Sequence, residues 1–412
     1  MRARILAAAV LAAALAVAAS TAAGAPSKAG AGKSLTVWLQ VDAQSGWSDL
    51  VASTNAKFES AHPGVKVDVQ YQTWPTHLQK FDATLAGSNT PDVIEMGNTE
   101  MTKYMAAGAF QALDKSAFEN SGTWLAGLAA SGVYGGKTYG VPYYAGTRVI
   151  TYRTDLFKQV GAKVPATLAE YQATAKKLAA KFGSKKGFSP VYIAGKDWYV
   201  ALAFVFDYGG GIATQVSGTW KGLLDSPKSL AGLTAYKNFF LAASRASKTA
   251  LENNPQPYDV YAQGLVASMP GPTWFTCCVG KKYTGVTSQF VIPSHTKGKV
   301  MPSFLGGSDL AVPIGADKAL ATDWIKEFTN TQAERKLQSV GNVPNSTTLL
   351  NLKKVNERAA LRTWFVPQAK NWVNIENGNV LRSMLTQILT GQLSVKQAAT
   401  FASQNITSTL NK

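Results

Sequence analysis

The chain has 412 residues, of which 46% are hydrophobic and 16% are charged, and its formal net charge is +17. This composition is typical of a globular protein with sizeable cores and excludes an intrinsically disordered chain. The two cysteines, Cys277 and Cys278, are adjacent, and the three histidines lie far apart in sequence. These counts exclude a disulfide-rich scaffold and give no metal-binding motif.

The first residues have the pattern of an export signal. Arg2 and Arg4 precede an apolar run, and small residues up to Ala25 follow it. We predict a signal peptide over residues 1–25, with cleavage between residues 20 and 31. The run is shorter than the ~20 apolar residues that span a bilayer. No cysteine lies near the cleavage region to carry a lipid. We therefore expect an exported protein, periplasmic or extracellular, without a lipid anchor.

Strand and helix patterns alternate through the first part of the mature chain. Residues 35–39, 65–71 and 91–95 read as strands, and residues 48–61 and 76–85 read as helices. This β-α-β-α-β order predicts a mostly parallel sheet covered by helices. Ligand sites lie beyond the carboxyl ends of such strands. Those ends are the segment 40–42, Trp74 and the segment 97–100.

A second unit begins after Pro142. Thr167 and Glu170 have the spacing of a capping box and predict the start of a helix. Ser394 and Gln397 have the same spacing and predict the start of the last helix, which runs to about residue 410.

The basic charge favours a solvated surface over a nucleic-acid site. Pairs of lysines are scattered along the chain, and aromatic residues do not interleave with them. The Gly32-Lys33-Ser34 segment resembles the end of a phosphate-binding loop, but Ser27 stands where the first glycine is needed.

Tryptophan is the positive chemical signal. The chain has ten, several of them in turns rich in glycine or proline. An indole face suits the C–H face of a pyranose ring, and burying ~50 Å² there contributes ~1 kcal/mol. Core packing is the alternative for each ring. The candidates are Trp74, Trp198, Trp274 and Trp372.

Several short motifs follow one another across the mature chain. They are PDVIEMGNT at 91–99, GVPYY at 140–144, YRTDLF at 152–157, GPTW at 271–274 and FLGGS at 304–308. In order and spacing they resemble the extracellular solute-binding proteins of carbohydrate ABC importers, the group that includes maltose-binding proteins. The resemblance spans nearly the whole mature chain.

That resemblance implies a two-lobed α/β fold of the type II periplasmic-binding-protein class. Each lobe would be a mostly parallel sheet flanked by helices, and hinge strands would join the lobes. The N-terminal lobe would comprise residues 33–141 and 301–341, and the C-terminal lobe residues 142–300 and 342–412. The expected partners are an oligosaccharide and the permease subunits of an ABC importer. We expect a monomer, with no catalytic residue, cofactor, metal or nucleic-acid partner.

The resemblance also assigns roles to residues. Asp42, Asn98 and Thr99 would donate or accept hydrogen bonds from the N-terminal lobe, and three indoles would stack on the sugar from the C-terminal lobe. The full set is Gln40, Asp42, Trp74, Asn98, Thr99, Tyr144, Trp198, Trp274, Gly307, Ser308 and Trp372.

Two details of the sequence narrow the choice of sugar. A lysine often follows the first-strand aspartate in maltose-binding members, and here Ala43 stands in that place. This difference weighs against maltose. The Gly97-Asn98-Thr99 segment is more similar to actinobacterial proteins for chitobiose or related β-linked di- and trisaccharides.

The state of the two cysteines and the function of the protein both stay open at this point. In an oxidising compartment Cys277 and Cys278 form either a vicinal disulfide or two buried thiols. Such a bridge is strained, because neighbouring Cα atoms are only ~3.8 Å apart, or ~2.9 Å across a cis peptide. Sugar binding also has two alternatives. The protein could be an exported glycoside hydrolase or polysaccharide lyase, or it could have the same fold and bind a solute other than a sugar.

Overall fold

The computed structural model describes residues 33–74, 76–87 and 89–412, apart from the side chain of Cys277. The predicted signal peptide and its cleavage region lie outside these residues.

Strands and helices alternate along the described chain. The strands are β1 (Lys33–Gln40), β2 (Val65–Gln72), β3 (Val93–Gly97), β4 (Val133–Tyr134), β5 (Lys137–Thr138), β6 (Gly140–Gly146), β7 (Arg148–Arg153), β8 (Ser189–Val191), β9 (Ala213–Val216), β10 (Thr219–Gly222), β11 (Val266–Pro272), β12 (Thr287–Phe290), β13 (Ser303–Phe304), β14 (Gly306–Ala311) and β15 (Thr363–Trp364). The α-helices are α1 (Val41–Gly46), α2 (Ser48–Ala61), α3 (His77–Leu85), α4 (Met101–Ala106), α5 (Ala126–Ser131), α6 (Thr154–Gln159), α7 (Leu168–Phe182), α8 (Trp198–Asp207), α9 (Pro227–Ala243), α10 (Pro257–Ala262), α11 (Lys318–Phe328), α12 (Thr331–Ser339), α13 (Val355–Ala359), α14 (Trp372–Asn377), α15 (Val380–Thr390) and α16 (Val395–Leu410).

Two mixed sheets organise the molecule. The first has the order β2-β1-β3-β14-β6, and the second has the order β12-β7-β11-β8. In the first sheet β1 is parallel to β2 and β3, but β14 is antiparallel to β3 and β6. In the second, β7 is antiparallel to β11 and β12. The α/β class is confirmed, but the expected mostly parallel sheets are wrong in detail, because the strands next to the crossings between sheets run antiparallel.

Local sequence explains the elements that were predicted. Along β2 the side chains of Val67 and Val69 pack against the first core, whereas Lys66 and Asp68 are exposed. This alternation is that of a strand with one buried face. The last helix, α16, begins with a complete capping box in which the Ser394 hydroxyl accepts from the Gln397 amide at 3.2 Å.

Each sheet carries its own hydrophobic core. Val37, Leu310 and Trp324 belong to the core of the first sheet, and Phe204 and Leu385 belong to that of the second. We call each sheet with its core and covering helices a lobe. No helix among the described residues has the length and apolar character needed to span a bilayer.

The chain passes between the lobes near Gly146, Leu305 and Gly341. Ala145 and Val343 exchange backbone hydrogen bonds of 2.9 and 2.7 Å. Leu305 and both of these residues share one buried cluster, so the crossing segments pack on one another. Strand β6 remains in the first sheet as far as Gly146, and Met301 packs in the second core, so both crossings lie later than the expected boundaries at 141 and 301.

Gly307 on β14 lies directly against the backbone of β6. A Cβ atom at this position would lie 2.2 Å from the Tyr144 carbonyl oxygen. Real Cβ atoms do not approach backbone oxygens so closely, so any side chain here would push β14 away from β6. Gly146, opposite Gly306 in the same pair of strands, has open space where its Cβ would be.

The first prediction compares these two glycines. Gly307→Ala should lower the free energy of unfolding by about 1–3 kcal/mol, because the added methyl group overpacks the strand pair. Gly146→Ala is the matched control and should leave stability nearly unchanged. Urea denaturation of the two variants measures the difference. Equal stability of both would contradict the role assigned to Gly307.

Two buried carboxyl groups lie on neighbouring strands of the first sheet. Glu95 on β3 accepts a hydrogen bond of 2.9 Å from the Gln40 amide, and Asp309 on β14 accepts one of 2.6 Å from the Ser131 hydroxyl. Burial raises the pKa of Glu95 to about 7 and that of Asp309 to about 7 as well. Both groups therefore hold a proton in the folded protein at pH values where the unfolded chain has lost it.

A pH dependence of stability follows. The contribution of Glu95 is complete below about pH 4.5, its unfolded pKa, and is lost as pH rises through the folded pKa of about 7. That change is about 3 kcal/mol. Glu95→Gln should therefore reduce the fall in unfolding free energy between pH 5 and pH 8, measured by urea denaturation. Asp49→Asn, which alters an exposed carboxylate on α2, should keep the full dependence. An unchanged slope in Glu95→Gln would show that Glu95 does not titrate in this range.

Candidate ligand-binding cleft

An open cleft of about 930 Å³ lies between the lobes, and the crossing segments line it. This volume is in the range of small-molecule sites. The lining residues come from both lobes and are mostly aromatic, glycine or uncharged polar. They are Asp42, Ser45, Gly46, Trp47, Trp74, Tyr144, Gly146, Thr147, Arg148, Tyr199, Pro272, Thr273, Trp274, Thr276, Gln289, Phe304, Gly306, Gly307, Ser308, Val340, Gly341, Asn342 and Asn356.

Trp74 is the exposed indole of the first lobe. It follows β2, and 37% of its surface is accessible. Its indole N–H donates a 2.6 Å hydrogen bond to the Asp42 carboxylate, which follows β1. Because β1 and β2 are parallel neighbours, their carboxyl ends bring these two residues together. Asp42 thus fixes the orientation of the Trp74 ring.

His77 supports Trp74 from behind. Its ring meets the indole edge-on at a centroid distance of 5.2 Å, and its Nδ1 lies 2.9 Å from the Trp74 carbonyl oxygen. Its Nε2 lies 2.9 Å from the Glu100 carboxylate. Burial by itself would lower the pKa of His77, but the hydrogen bond and charge of Glu100 raise the pKa above its ordinary value.

Trp274 is the exposed indole of the second lobe. It lies in the 3₁₀ helix Thr273–Cys278, directly after β11, and is 54% exposed. Phe275 meets it edge-on at 4.9 Å, and Tyr258 lies 5.8 Å away. Cys278, at the end of this helix, is disulfide-bonded. The side chain of Cys277 lies outside the described residues, so the vicinal bridge stays a prediction.

Tyr144, Gly307 and Ser308 lie together where β6 and β14 pair. The Trp47 ring lies 5.2 Å from Tyr144 in an edge arrangement. Burial raises the pKa of Tyr144 well above its ordinary value, and the nearby charge of Glu95 adds to this. The Tyr144 hydroxyl is therefore a neutral hydrogen-bonding group at any physiological pH.

Sequence reasoning missed a second polar and aromatic corner of the cleft. Arg148 begins β7, and its guanidinium lies 4.2 Å from the centre of the Tyr199 ring. Phe304 lies 4.9 Å from Tyr199. The only local signal was the position of Arg148 just after the crossing strand β6.

Two stacking predictions are corrected. Trp198 and Trp372 are each only 2% exposed and belong to the second core, so neither ring lines the cleft. Asp197 caps α8, which places Trp198 inward, and the next residue, Tyr199, reaches the cleft because successive helical side chains point about 100° apart. The Trp198 ring stacks behind Tyr199 at 4.0 Å. The Trp372 indole donates a 2.5 Å hydrogen bond to Glu376 within α14.

Three polar predictions also fall outside the cleft lining. Gln40 and Asn98 are 1% and 3% exposed, and Thr99 is half-buried. The Asn98 side chain donates a 2.7 Å hydrogen bond to the Leu305 carbonyl oxygen, so it holds a crossing segment in place. Asn98 therefore has a structural role next to the cleft. The other predicted residues, Asp42, Trp74, Tyr144, Trp274, Gly307 and Ser308, line it, and their contact with a ligand stays a prediction.

The chemistry of the lining suits a polar, uncharged ring compound. Its charged residues, Asp42 and Arg148, have opposite signs. Two exposed indoles supply flat apolar faces, and hydroxyl and amide groups surround them. The described residues contain no cluster of histidine, cysteine, aspartate and glutamate that could hold a metal ion.

The chain resembles known proteins in sequence and in structure. Residues 38–335 match the family described as bacterial extracellular solute-binding protein. The diacetylchitobiose binding protein DasA of Streptomyces coelicolor is 30% identical over 378 residues, which are 88% of this chain and 86% of that protein.

Solved structures share the fold. The sugar-binding protein MalE of Xanthomonas citri has a TM-score of 0.77 at 19% identity, covering 92% of this chain and 97% of that one. The GacH receptor of Streptomyces glaucescens has a TM-score of 0.74 at 21% identity, covering 92% and 98%. The two-lobed architecture expected from the sequence is thus confirmed. Because the family match covers most of the chain, the protein belongs to the bacterial extracellular solute-binding proteins, which bind their solutes without chemical turnover.

Proposed function

We propose that the cleft binds an oligosaccharide between Trp74 and Trp274 and that the loaded protein delivers it to the permease of an ABC importer. Family membership already rejects the glycosidase or lyase alternative. It also agrees with export, since the family is extracellular. The absence of a lipid anchor and the monomeric state remain expectations.

One observation carries the proposal. Each lobe presents one exposed indole to the same cleft, Trp74 and Trp274, although most large aromatic side chains among the described residues are buried. Each ring stacked on a sugar would contribute ~1 kcal/mol from buried apolar area. Asp42 and His77 hold the first ring, and Phe275 and Tyr258 hold the second, so little ordering is required on binding.

The relative with 30% identity supports a β-linked, N-acetylated disaccharide as the first ligand to test. DasA is named for diacetylchitobiose. The cleft volume of about 930 Å³ also leaves room for a trisaccharide.

Closure of the lobes would couple binding to delivery. The lobes are joined by short crossing segments that themselves line the cleft. A sugar held by both indoles would favour the closed arrangement, and the permease would distinguish loaded from empty protein by that shape.

Calorimetric titration tests the proposal. We expect the mature protein to bind diacetylchitobiose or a related β-linked disaccharide with a micromolar or lower Kd. Trp274→Ala and Trp74→Ala should each weaken binding by about 1–3 kcal/mol, because each removes a stacking face. Phe401→Ala is the control, since Phe401 is 57% exposed and does not line the cleft.

Two outcomes would contradict it. If no di- or trisaccharide binds, the ligand is not an oligosaccharide. If a sugar binds but both tryptophan variants keep the wild-type Kd, the sugar does not lie between these rings.

A further inference from the structure

We infer that Arg148, with Tyr199 and Phe304, forms a subsite that recognises an uncharged acetamido group and so selects N-acetylated sugars over their hydroxyl counterparts. This inference rests on the proposed function, since it assigns a group of the oligosaccharide to a corner of the same cleft. We call these three residues the Arg148 corner.

The backbone of Arg148 is fixed at the cleft wall. Its amide donates a 2.7 Å hydrogen bond to the Ser303 hydroxyl. It also pairs with Pro272, two residues before Trp274, in the antiparallel pair of β7 and β11. The backbone of Arg148 is therefore held in a paired strand, next to the segment that leads to the exposed Trp274.

The guanidinium has hydrogen-bonding capacity that the described protein atoms do not use. Arg148 is half-buried, like Arg362 and Arg382, and Arg153 is buried. Those three each pair with a carboxylate, whereas the Arg148 guanidinium has no hydrogen-bond or ion-pair partner among the described residues. Its contact is with the face of Tyr199, at 4.2 Å, which occupies none of its five N–H donors.

A ligand oxygen is the natural acceptor for these donors. A partly desolvated donor without a hydrogen-bond partner costs free energy. A ligand that supplies an acceptor removes this cost, and the removal adds to the affinity. A hydrogen bond from a charged donor is about twice as strong as one between neutral groups. A carbonyl oxygen can accept from the guanidinium fork more strongly than a sugar hydroxyl.

The charge around the corner favours a neutral acceptor over a carboxylate. Asp42 on the opposite lobe balances the charge of Arg148 within the cleft. The buried Asp197 also lies within the field of Arg148, whose charge opposes the rise in the Asp197 pKa that burial causes. The charge of Glu376 acts on the neighbouring Tyr199, as does that of Glu252, which is paired with Arg382. A second negative charge would meet no surplus of positive charge here.

The rings of the corner suit the rest of an acetamido group. Tyr199 and Phe304 lie 4.9 Å apart and both line the cleft. A methyl group against these rings buries apolar area, while the carbonyl oxygen meets the guanidinium. A hydroxyl group at the same carbon has no methyl group to bury and is the weaker acceptor for the guanidinium.

Calorimetry with matched sugars tests the inference. Diacetylchitobiose and cellobiose share the β-1,4 linkage. Diacetylchitobiose has acetamido groups where cellobiose has hydroxyl groups. Wild-type protein should bind diacetylchitobiose at least about tenfold more tightly. Arg148→Gln should weaken diacetylchitobiose binding by about 10- to 100-fold and cellobiose binding by less than about threefold. Arg148→Lys, which keeps the charge without the planar fork, should lose a large part of the same preference.

Controls separate recognition from folding. Arg358→Gln changes an exposed arginine on α13 and should bind as wild type. The melting temperature of each variant shows whether it is folded. If Arg148→Gln is unfolded, Arg148→Lys carries the test, because it keeps the positive charge and should still reduce the preference for the acetamido sugar.

The failure modes are distinct. If wild-type protein binds neither sugar nor any other oligosaccharide, the proposed function fails and the subsite with it. If cellobiose binds as tightly as diacetylchitobiose, or if Arg148→Gln weakens both equally, the function stands and the acetamido subsite is wrong. If a uronic-acid disaccharide binds more tightly than both and depends on Arg148, the corner recognises a carboxylate, which overturns the inference of a neutral group.

Discussion

The close pairing of β6 and β14 is the constraint on which the rest of the structure depends. These strands complete the first sheet, and the segments next to them are two of the links to the second lobe. Gly307 lets the two backbones approach, and the Ala145–Val343 hydrogen bonds add the third crossing to the same bundle. The cleft floor is therefore not a loop laid over a scaffold. It is the connection between the lobes itself, so any movement of one lobe against the other reshapes the ligand site.

The two walls of the cleft divide the chemistry of binding. The first lobe presents Trp74, held by Asp42 and backed by His77. The second presents Trp274 and, from β7 and α8, the pair of Arg148 and Tyr199. In each wall a charged or polar group is combined with an aromatic face, and that combination matches the alternation of C–H faces and oxygen atoms around a sugar ring.

The sequence was sufficient to predict the alternating elements of residues 35–95, two later helices and part of the cleft lining. Periodicity identified α2 and β2, and the spacing of Ser394 and Gln397 identified the start of α16. Asp42 and Trp74 were found because the carboxyl ends of parallel strands meet at one edge of a sheet. The antiparallel strands of the sheets could not be predicted from local sequence, because β14 pairs with β3 from a remote part of the chain.

The direction in which a side chain points was the main reason why predicted site residues were wrong. Trp198 and Tyr199 are adjacent, and only the direction of the first turn of α8 decides which ring reaches the cleft. Trp372 lies in the short helix α14, and packing against the second core decides which side of that helix is buried. The residues of the preceding turn do not predict that packing. Asn98 was expected to meet the ligand, but its amide is already used by Leu305. Arg148 was missed because a single arginine at a strand start forms no sequence pattern, and its contact with the Tyr199 ring joins segments far apart in the chain.

The late position of β14 in the chain has a consequence for biogenesis. Strand β3 ends at Gly97, and its partner β14 begins only at Gly306, so the first lobe cannot close its sheet until three quarters of the polypeptide has been synthesised. Contacts between such distant segments form slowly, because a long loop must close first. Until then β6 has no partner in the first sheet and β3 has an open edge, so the sheet is incomplete in a chain that is still being threaded through a translocation channel.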